Sequence, residues 1–171
     1  MIAHGPKDIF NHLTGQPGFD YNQITDDVFI GTNMCCQVGF SKELLSKGVR
    51  ADISLEENRT DAPNGVDYFL WLPTENDKPP SPKGLEIGVK FLDFLIINKI
   101  KTFIHCKNGH GRAPTLFAAY LISHGKSVEE AINFISSKRP AIHLRELQIQ
   151  ALNEFKTRIS SGHRLTNEHS A

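Results

Sequence analysis

Residues 101–125, KTFIHCKNGHGRAPTLFAAYLISHG, join a short β-branched and aromatic run to an apolar helical run through a loop carrying two glycines. The order strand, loop, helix is the unit from which parallel sheets covered by helices are built. The rest of the chain repeats the alternation. DDVFIGTN reads as a strand, SKELLSKGV as a helix opened by Ser41 and closed by Gly48, and VRADISL as a second strand. After the turn DAPNG, the aromatic run VDYFLWLP ends at Pro73.

The segment TENDKPPSPKG is rich in proline and charge, so it is an exposed connection where function can reside. Ser81 and Pro82 then start a helix with Leu85, Val89, Leu92 and Ile96 at helical spacing. Ser127 and Glu130 form a capping box ahead of Val128, Ala131, Ile132 and Ile135. KRP ends that helix, and a last one is expected from about His143, with Leu144, Leu147, Ala151, Phe155 and Ile159 facing inward. The fold class implied is α/β, a central mostly parallel sheet flanked by helices on both sides. The 171 residues fit one domain, with an arm over 1–20 and a polar tail over 162–171.

Charge narrows the function classes. Lysine plus arginine number 19 and so do aspartate plus glutamate, leaving no overall basic field for nucleic acid. The first thirty residues lack the layout of a secretory signal, and no apolar run reaches a membrane-spanning length, so a soluble cytoplasmic protein is expected. Three cysteines, two of them adjacent at Cys35 and Cys36, make a poor disulfide framework and suit a reducing compartment, where both would be packing residues. The histidines show no metal-ligand spacing, and neither metal nor cofactor is expected.

The loop HCKNGHGR carries the chemistry. A thiol is a nucleophile only as thiolate, and a helix N-terminus with fixed positive charge favours that form. Gly109 and Gly111 permit backbone angles that turn successive N–H groups inward as an anion nest. Arg112, at the start of the following helix, offers a planar fork for two oxygens of a tetrahedral oxyanion. Positive charge at a helix N-terminus is unfavourable unless an anion is to be bound there. Together with Lys107, Asn108 and His110, these residues outline a phosphate cradle with Cys106 at its floor.

This arrangement resembles the cysteine-dependent protein tyrosine and dual-specificity phosphatases, whose signature is His-Cys, five residues, then Arg. His105, Cys106, Gly109 and Arg112 carry the match, and the likeness extends over most of residues 21–160. The small dual-specificity type is the nearest in length and in the position of the cysteine. The resemblance implies a phosphocysteine intermediate on Cys106 and a general acid on a loop some thirty residues earlier. Read without a gap, the pattern places that acid on Asn76, between Glu75 and Asp77. Asparagine cannot donate the proton, so a one-residue adjustment makes Asp77 the acid, with Glu75 the alternative. Ala113 stands where relatives carry a serine or threonine that helps the thiolate leave, which implies a slower second step; Thr115 is the nearest hydroxyl. Lys107 and His110 resemble the basic residues of inositol-lipid phosphatases.

His105 is expected to be a structural donor near the cysteine, Asp52 a partner of a backbone turn, and Gln148 a satisfied buried amide. The substrates implied are phosphorylated proteins or small phosphate esters, with inositol phosphates as the alternative. Two other readings stand beside this one. A phosphate-binding module without turnover would fit Ala113 and the displaced acid, and a sulfurtransferase also uses a loop cysteine but with a shorter cysteine-to-arginine spacing.

Overall fold

The structure is a computed structural model that describes residues 19–36 and 39–161. The tail assigned to 162–171, and all but the last two residues of the arm assigned to 1–20, lie outside the described residues. Strands β1 (Tyr21–Gln23), β2 (Val28–Thr32), β3 (Val49–Ser54), β4 (Tyr68–Trp71) and β5 (Lys101–Cys106) form one sheet in the order β1-β2-β5-β3-β4. β1 runs antiparallel to β2, and every other neighbour is parallel. Helices α1 (Lys42–Ser46), α2 (Pro82–Ile97), α3 (Arg112–Ser123), α4 (Val128–Lys138) and α5 (Glu146–Ser160) alternate with or follow the strands. The mostly parallel α/β class is thus observed.

β5 lies at the centre, and only its first residue escapes full burial, as a parallel strand covered on both faces requires. Its side chains alternate between two separate cores. Ile104 and Cys106 join Val28, Ile30 and Ile53 beneath α2, α3, α4 and α5. Phe103 points the other way, with Phe29 and Val49, onto Cys36, Phe40 and Leu44. The long helices therefore crowd one face. The other is closed by short α1 and the 3-10 turn Asn33–Cys35, a more lopsided arrangement than flanking on both sides suggested.

Local signals placed most ends correctly. Ser41, Ser81 and Ser127 each accept a hydrogen bond from a first-turn amide, and Ser127 with Glu130 completes the capping box. The last helix is the exception. It begins at Glu146, not near His143, because Pro140 disfavours helix at Arg139 and the His143 amide donates to the His110 carbonyl, 3.0 Å away. Phe155 is buried and Leu144 and Ile159 pack against the core as expected, Gln148 and Leu152 are buried beside them, and Leu147 is left exposed. Strand β1, only three residues long and incompletely buried, gave no periodic signal.

Candidate active site

β2, β3 and β5 are parallel and end at the same edge, with Thr32 opposite Cys106 and Ser54 opposite His105. Ligands of open α/β sheets bind at such carboxyl ends. Cys106 is the last residue of β5 and Arg112 the first of α3, so the five residues between them have to turn the chain within a single loop.

A buried arginine that sequence reasoning passed over shapes that loop. Arg139, just past α4, donates from Nε to the Gly109 carbonyl at 2.9 Å and from Nη2 to the Asn108 carbonyl at 3.3 Å. Its other contacts are Asn22 Oδ1 at 2.7 Å and Asp20 Oδ2 at 2.9 Å. In a trans peptide the C=O and N–H point opposite ways. Drawing two carbonyls toward Arg139 therefore aims the amides of Gly109 and His110 at the opposite side, into the cleft. No amide from Asn108 to Ala113 has a protein acceptor among the described residues, which leaves a ring of donors for an anion.

The two loop glycines serve different ends. Gly109 has φ +66°, and a Cβ there would stand 2.5 Å from the Gly31 carbonyl oxygen, so both conformation and space require glycine. Gly111 keeps φ −126° and needs no left-handed freedom. It is a glycine because a Cβ would press to 3.0 Å against the Gln148 amide.

Arg112 is buried and its fork is aimed by protein oxygens. Nη1 donates to the carbonyls of Leu55 at 3.0 Å and Thr74 at 2.8 Å, and Nη2 reaches Glu56 Oε1 at 3.5 Å. Of five N–H groups, Nε and one hydrogen of Nη2 remain, the pair suited to two oxyanion oxygens. Glu56 is itself held by Asn33 Nδ2 at 3.1 Å. It was not anticipated, since a lone glutamate after a strand looks like surface charge.

Cys106, Arg112, Asn108, His110 and Gly111 line a cleft of about 190 Å³, whose mouth is formed by Asn76, Asp77, His143, Arg145 and Gln148. Asp77 thus reaches the site, in the left-handed conformation at φ +60° that aspartate tolerates better than most residues. Its Oδ1 accepts from Arg145 Nε at 3.3 Å, a contact between two exposed side chains and therefore weak. Glu75 is not among the lining residues; neither is Lys107, which is exposed. The basic groups facing the cleft are instead His110, His143 and Arg145. Burial, then the positive charges of Arg139 and His143, lower the pKa of His110 below the usual imidazole range. Gln148 is satisfied at both ends, by the Arg145 amide and the Lys78 carbonyl, yet still borders the cleft.

Three expectations change. His105 does not point toward Cys106. It lies on the opposite face of the sheet, where Nε2 meets Cys36 Sγ at 3.4 Å, Asp52 Oδ1 at 3.4 Å and Asp61 Oδ2 at 3.5 Å. Asp52 partners no backbone turn; its carboxylate, fully buried, has His105 as its near neighbour, and burial pushes its pKa up. Thr115 cannot stand in for the hydroxyl missing at Ala113, because its Oγ1 donates to the Gly111 carbonyl at 2.8 Å.

The arrangement offers a seat for a tetrahedral oxyanion on sulfur, between loop amides and a guanidinium, with a carboxyl group at the mouth. A larger shallow groove of about 790 Å³ runs along α5, but among the described residues no cysteine lines it. The chain matches the family described as dual specificity phosphatase, catalytic domain, over residues 28–158. It is 38% identical over 99 residues to human "phosphatidylglycerophosphatase and protein-tyrosine phosphatase 1", covering 57% of this chain and 49% of the relative. It is 29% identical over 132 residues to "protein tyrosine phosphatase PRL-1" of Leishmania major, covering 70% and 74%. A crystal structure of PTPMT1 in complex with PI(5)P superposes with TM-score 0.72 at 29% identity, covering 84% of this chain and 99% of that one. The chain spans about half the length of the first of these curated relatives.

Proposed function

Since the chain belongs to the dual specificity phosphatase catalytic-domain family, we propose that it hydrolyses phosphate monoesters through a phosphocysteine formed on Cys106. In the first step Cys106 Sγ attacks phosphorus in line, the ester P–O bond breaks, and Asp77 gives its proton to the departing oxygen. In the second, water attacks the same phosphorus, Asp77 takes the proton, and the thiolate leaves. Loop amides and Arg112 hold the equatorial oxygens throughout, where charge concentrates in the transition state. The observation that carries this reading is the cradle itself: unspent amides and the free half of a guanidinium surrounding one buried sulfur. Phosphate esters are its substrates and no cofactor takes part. The unpaired thiols of Cys35, Cys36 and Cys106 support a reducing, cytoplasmic setting.

A second reading, of substrate class, draws on the mouth. Among the described residues no phenyl, phenol or indole ring lines the cleft, whereas two imidazoles and the Arg145 guanidinium do. Such walls favour a polar alcohol bearing a further anionic group, as in a phospholipid or inositol phosphate head group, over a phosphotyrosine ring. Relatives named for phosphatidylglycerophosphate support this reading, as does the similar structure in complex with PI(5)P. No helix among the described residues is long and apolar enough to cross a membrane.

A panel of phosphotyrosyl peptide, p-nitrophenyl phosphate, phosphatidylglycerophosphate vesicles and phosphatidylinositol 5-phosphate tests both readings. We expect turnover of the simple aryl ester, and a kcat/KM on the lipid head groups at least about tenfold above the peptide, the worth of one charge-assisted bond. Better hydrolysis of the peptide would remove the lipid reading alone. Phosphate binding without hydrolysis of any member would leave only a binding module.

Asp77→Asn separates the acid from its neighbours. It should lower kcat for an alkyl phosphate by about 10²–10⁴-fold and for p-nitrophenyl phosphate by much less, because nitrophenolate departs without a proton. Equal kcat for wild type and variant on the alkyl ester would transfer the role to another group, with Glu75→Gln the next variant to measure.

A further inference from the structure

On the face of the sheet away from the cleft, three potential ligand atoms converge: Cys35 Sγ, Cys36 Sγ and His105 Nε2 lie within 4.8 Å of one another, and all three residues are buried. Nε2 is 3.4 Å from Cys36 Sγ and 3.4 Å from Asp52 Oδ1. One ring nitrogen has at most one proton to give, so it cannot satisfy a thiol and two carboxylates together. The distances to the carboxylates are also longer than a good N–H···O bond. They match something else. Ligands at zinc bond lengths of about 2.0–2.3 Å stand roughly 3.3–3.8 Å apart along the edges of a tetrahedron, and the two Nε2 distances fall in that range.

Asp52 supplies the independent sign. It is fully buried, neither of its oxygens has a hydrogen-bond donor, and Oδ1 faces His105. A carboxylate taken out of water without donors is costly unless a cation meets it. Asp61, also near Nε2, is already spent: Ser54 Oγ donates to Oδ2 at 2.6 Å and Arg59 Nη2 to Oδ1 at 2.8 Å. That leaves Asp52 as the nearest unspent anionic ligand and Asp61 as an outer partner.

We propose that Cys35, Cys36 and His105 hold a thiophilic divalent cation, Zn²⁺ by its ligand set, and that the Asp52 carboxylate, which faces the same Nε2, closes in as its fourth ligand. Two thiolates and one imidazole are the soft and borderline donors that zinc takes. Binding displaces the protons on both sulfurs and any on Nε2, which pass to solvent, and leaves His105 a neutral imidazole protonated at Nδ1. The expectation of no metal rested on ligand spacing along the chain. That criterion cannot register a site whose donors come from the 3-10 turn Asn33–Cys35 and the residue after it, from β3 and from β5. The site is independent of the phosphatase reading. Its structural effect is to tie the turn after β2 to the residue immediately before Cys106.

The full-length Cys106→Ser variant, freed of metal under a non-chelating reductant, is titrated with Co²⁺; that background removes the cleft thiol as a competing ligand. One equivalent should produce sulfur-to-cobalt charge transfer in the near ultraviolet and tetrahedral d–d bands in the visible. Zn²⁺ should displace the Co²⁺, protect Cys35 and Cys36 from alkylation, and raise the melting temperature. Adding Asp52→Asn should weaken Co²⁺ binding about tenfold or more, and adding Cys35→Ser with Cys36→Ser should abolish the charge-transfer band. Absence of the band at micromolar Co²⁺, or its survival without Cys35 and Cys36, overturns the proposal. Alkylation protection is read without replacing either ligand thiol, so a misfolded double variant leaves the question decided. Unchanged alkylation under Zn²⁺ also overturns it.

Discussion

Cys106→Ser should cut the hydrolysis of p-nitrophenyl phosphate by about 10⁴-fold or more, the scale at which removal of a nucleophile registers, while phosphate binding persists. Serine is close to isosteric, and the Cys106 sulfur donates or accepts no hydrogen bond among the described residues, so the exchange breaks no hydrogen bond of the fold. A hydroxyl at neutral pH is hardly ionised and is the weaker nucleophile toward phosphorus. The donors that grip phosphate are loop amides and Arg112, none of which the substitution touches. Steady-state rates with isothermal titration of inorganic phosphate separate the two effects. In rapid-quench experiments the wild type should release a burst of nitrophenol near one equivalent, since Ala113 offers no hydroxyl to the leaving thiolate and Thr115 is committed to the Gly111 carbonyl. The serine variant should show none. Turnover by Cys106→Ser within tenfold of the wild type would place the nucleophile elsewhere.

Arg139→Met should be the most damaging change outside the cleft. Methionine fills part of the buried volume but leaves the carbonyls of Asn108 and Gly109 without their donor, and Asn22 and Asp20 without theirs. Breaking a buried charged hub of this kind costs about 3 kcal/mol or more. The loss of activity should exceed what the loss of stability explains. Once the two carbonyls are free to rotate, the amides on the far side of the same peptide planes no longer hold their aim, and an oxyanion donor lost is worth about 10²–10³-fold in rate. Urea denaturation gives the first quantity; kcat/KM at a temperature where both proteins are folded gives the second. If activity per folded molecule stays at the wild-type level, Arg139 supports the fold and not the aim of the loop.

The strands, helix caps and signature loop were legible because each is written in consecutive residues. KTFIHC is β-branched and aromatic, Ser127 and Glu130 sit three apart, and Gly109 follows Cys106 at a fixed distance. The end of α4 and the start of α5 were harder. Pro140 announces a break, but the stretch up to Arg145 stays out of the helix because the His143 amide finds the His110 carbonyl, a partner more than thirty residues earlier. That displacement carried His143 and Arg145 to the mouth of the cleft, while Phe155 kept its expected place in the core. Periodicity finds apolar faces; it does not find the acceptor that a polar group will choose.

By itself the chain determined which atoms the proposed chemistry draws on: a sulfur, a glycine-turned run of amides and a guanidinium, all within residues 106–112, where local backbone geometry leaves few alternatives. Only the tertiary structure decided what aims them and what surrounds them. Arg139 behind the loop, Glu56 beside Arg112, the basic mouth, and the meeting of Cys35, Cys36, Asp52 and His105 behind the sheet all join residues far apart in the chain. A buried polar group must find its partner in space, and the order of the strands, not the order of the residues, sets which partners are within reach.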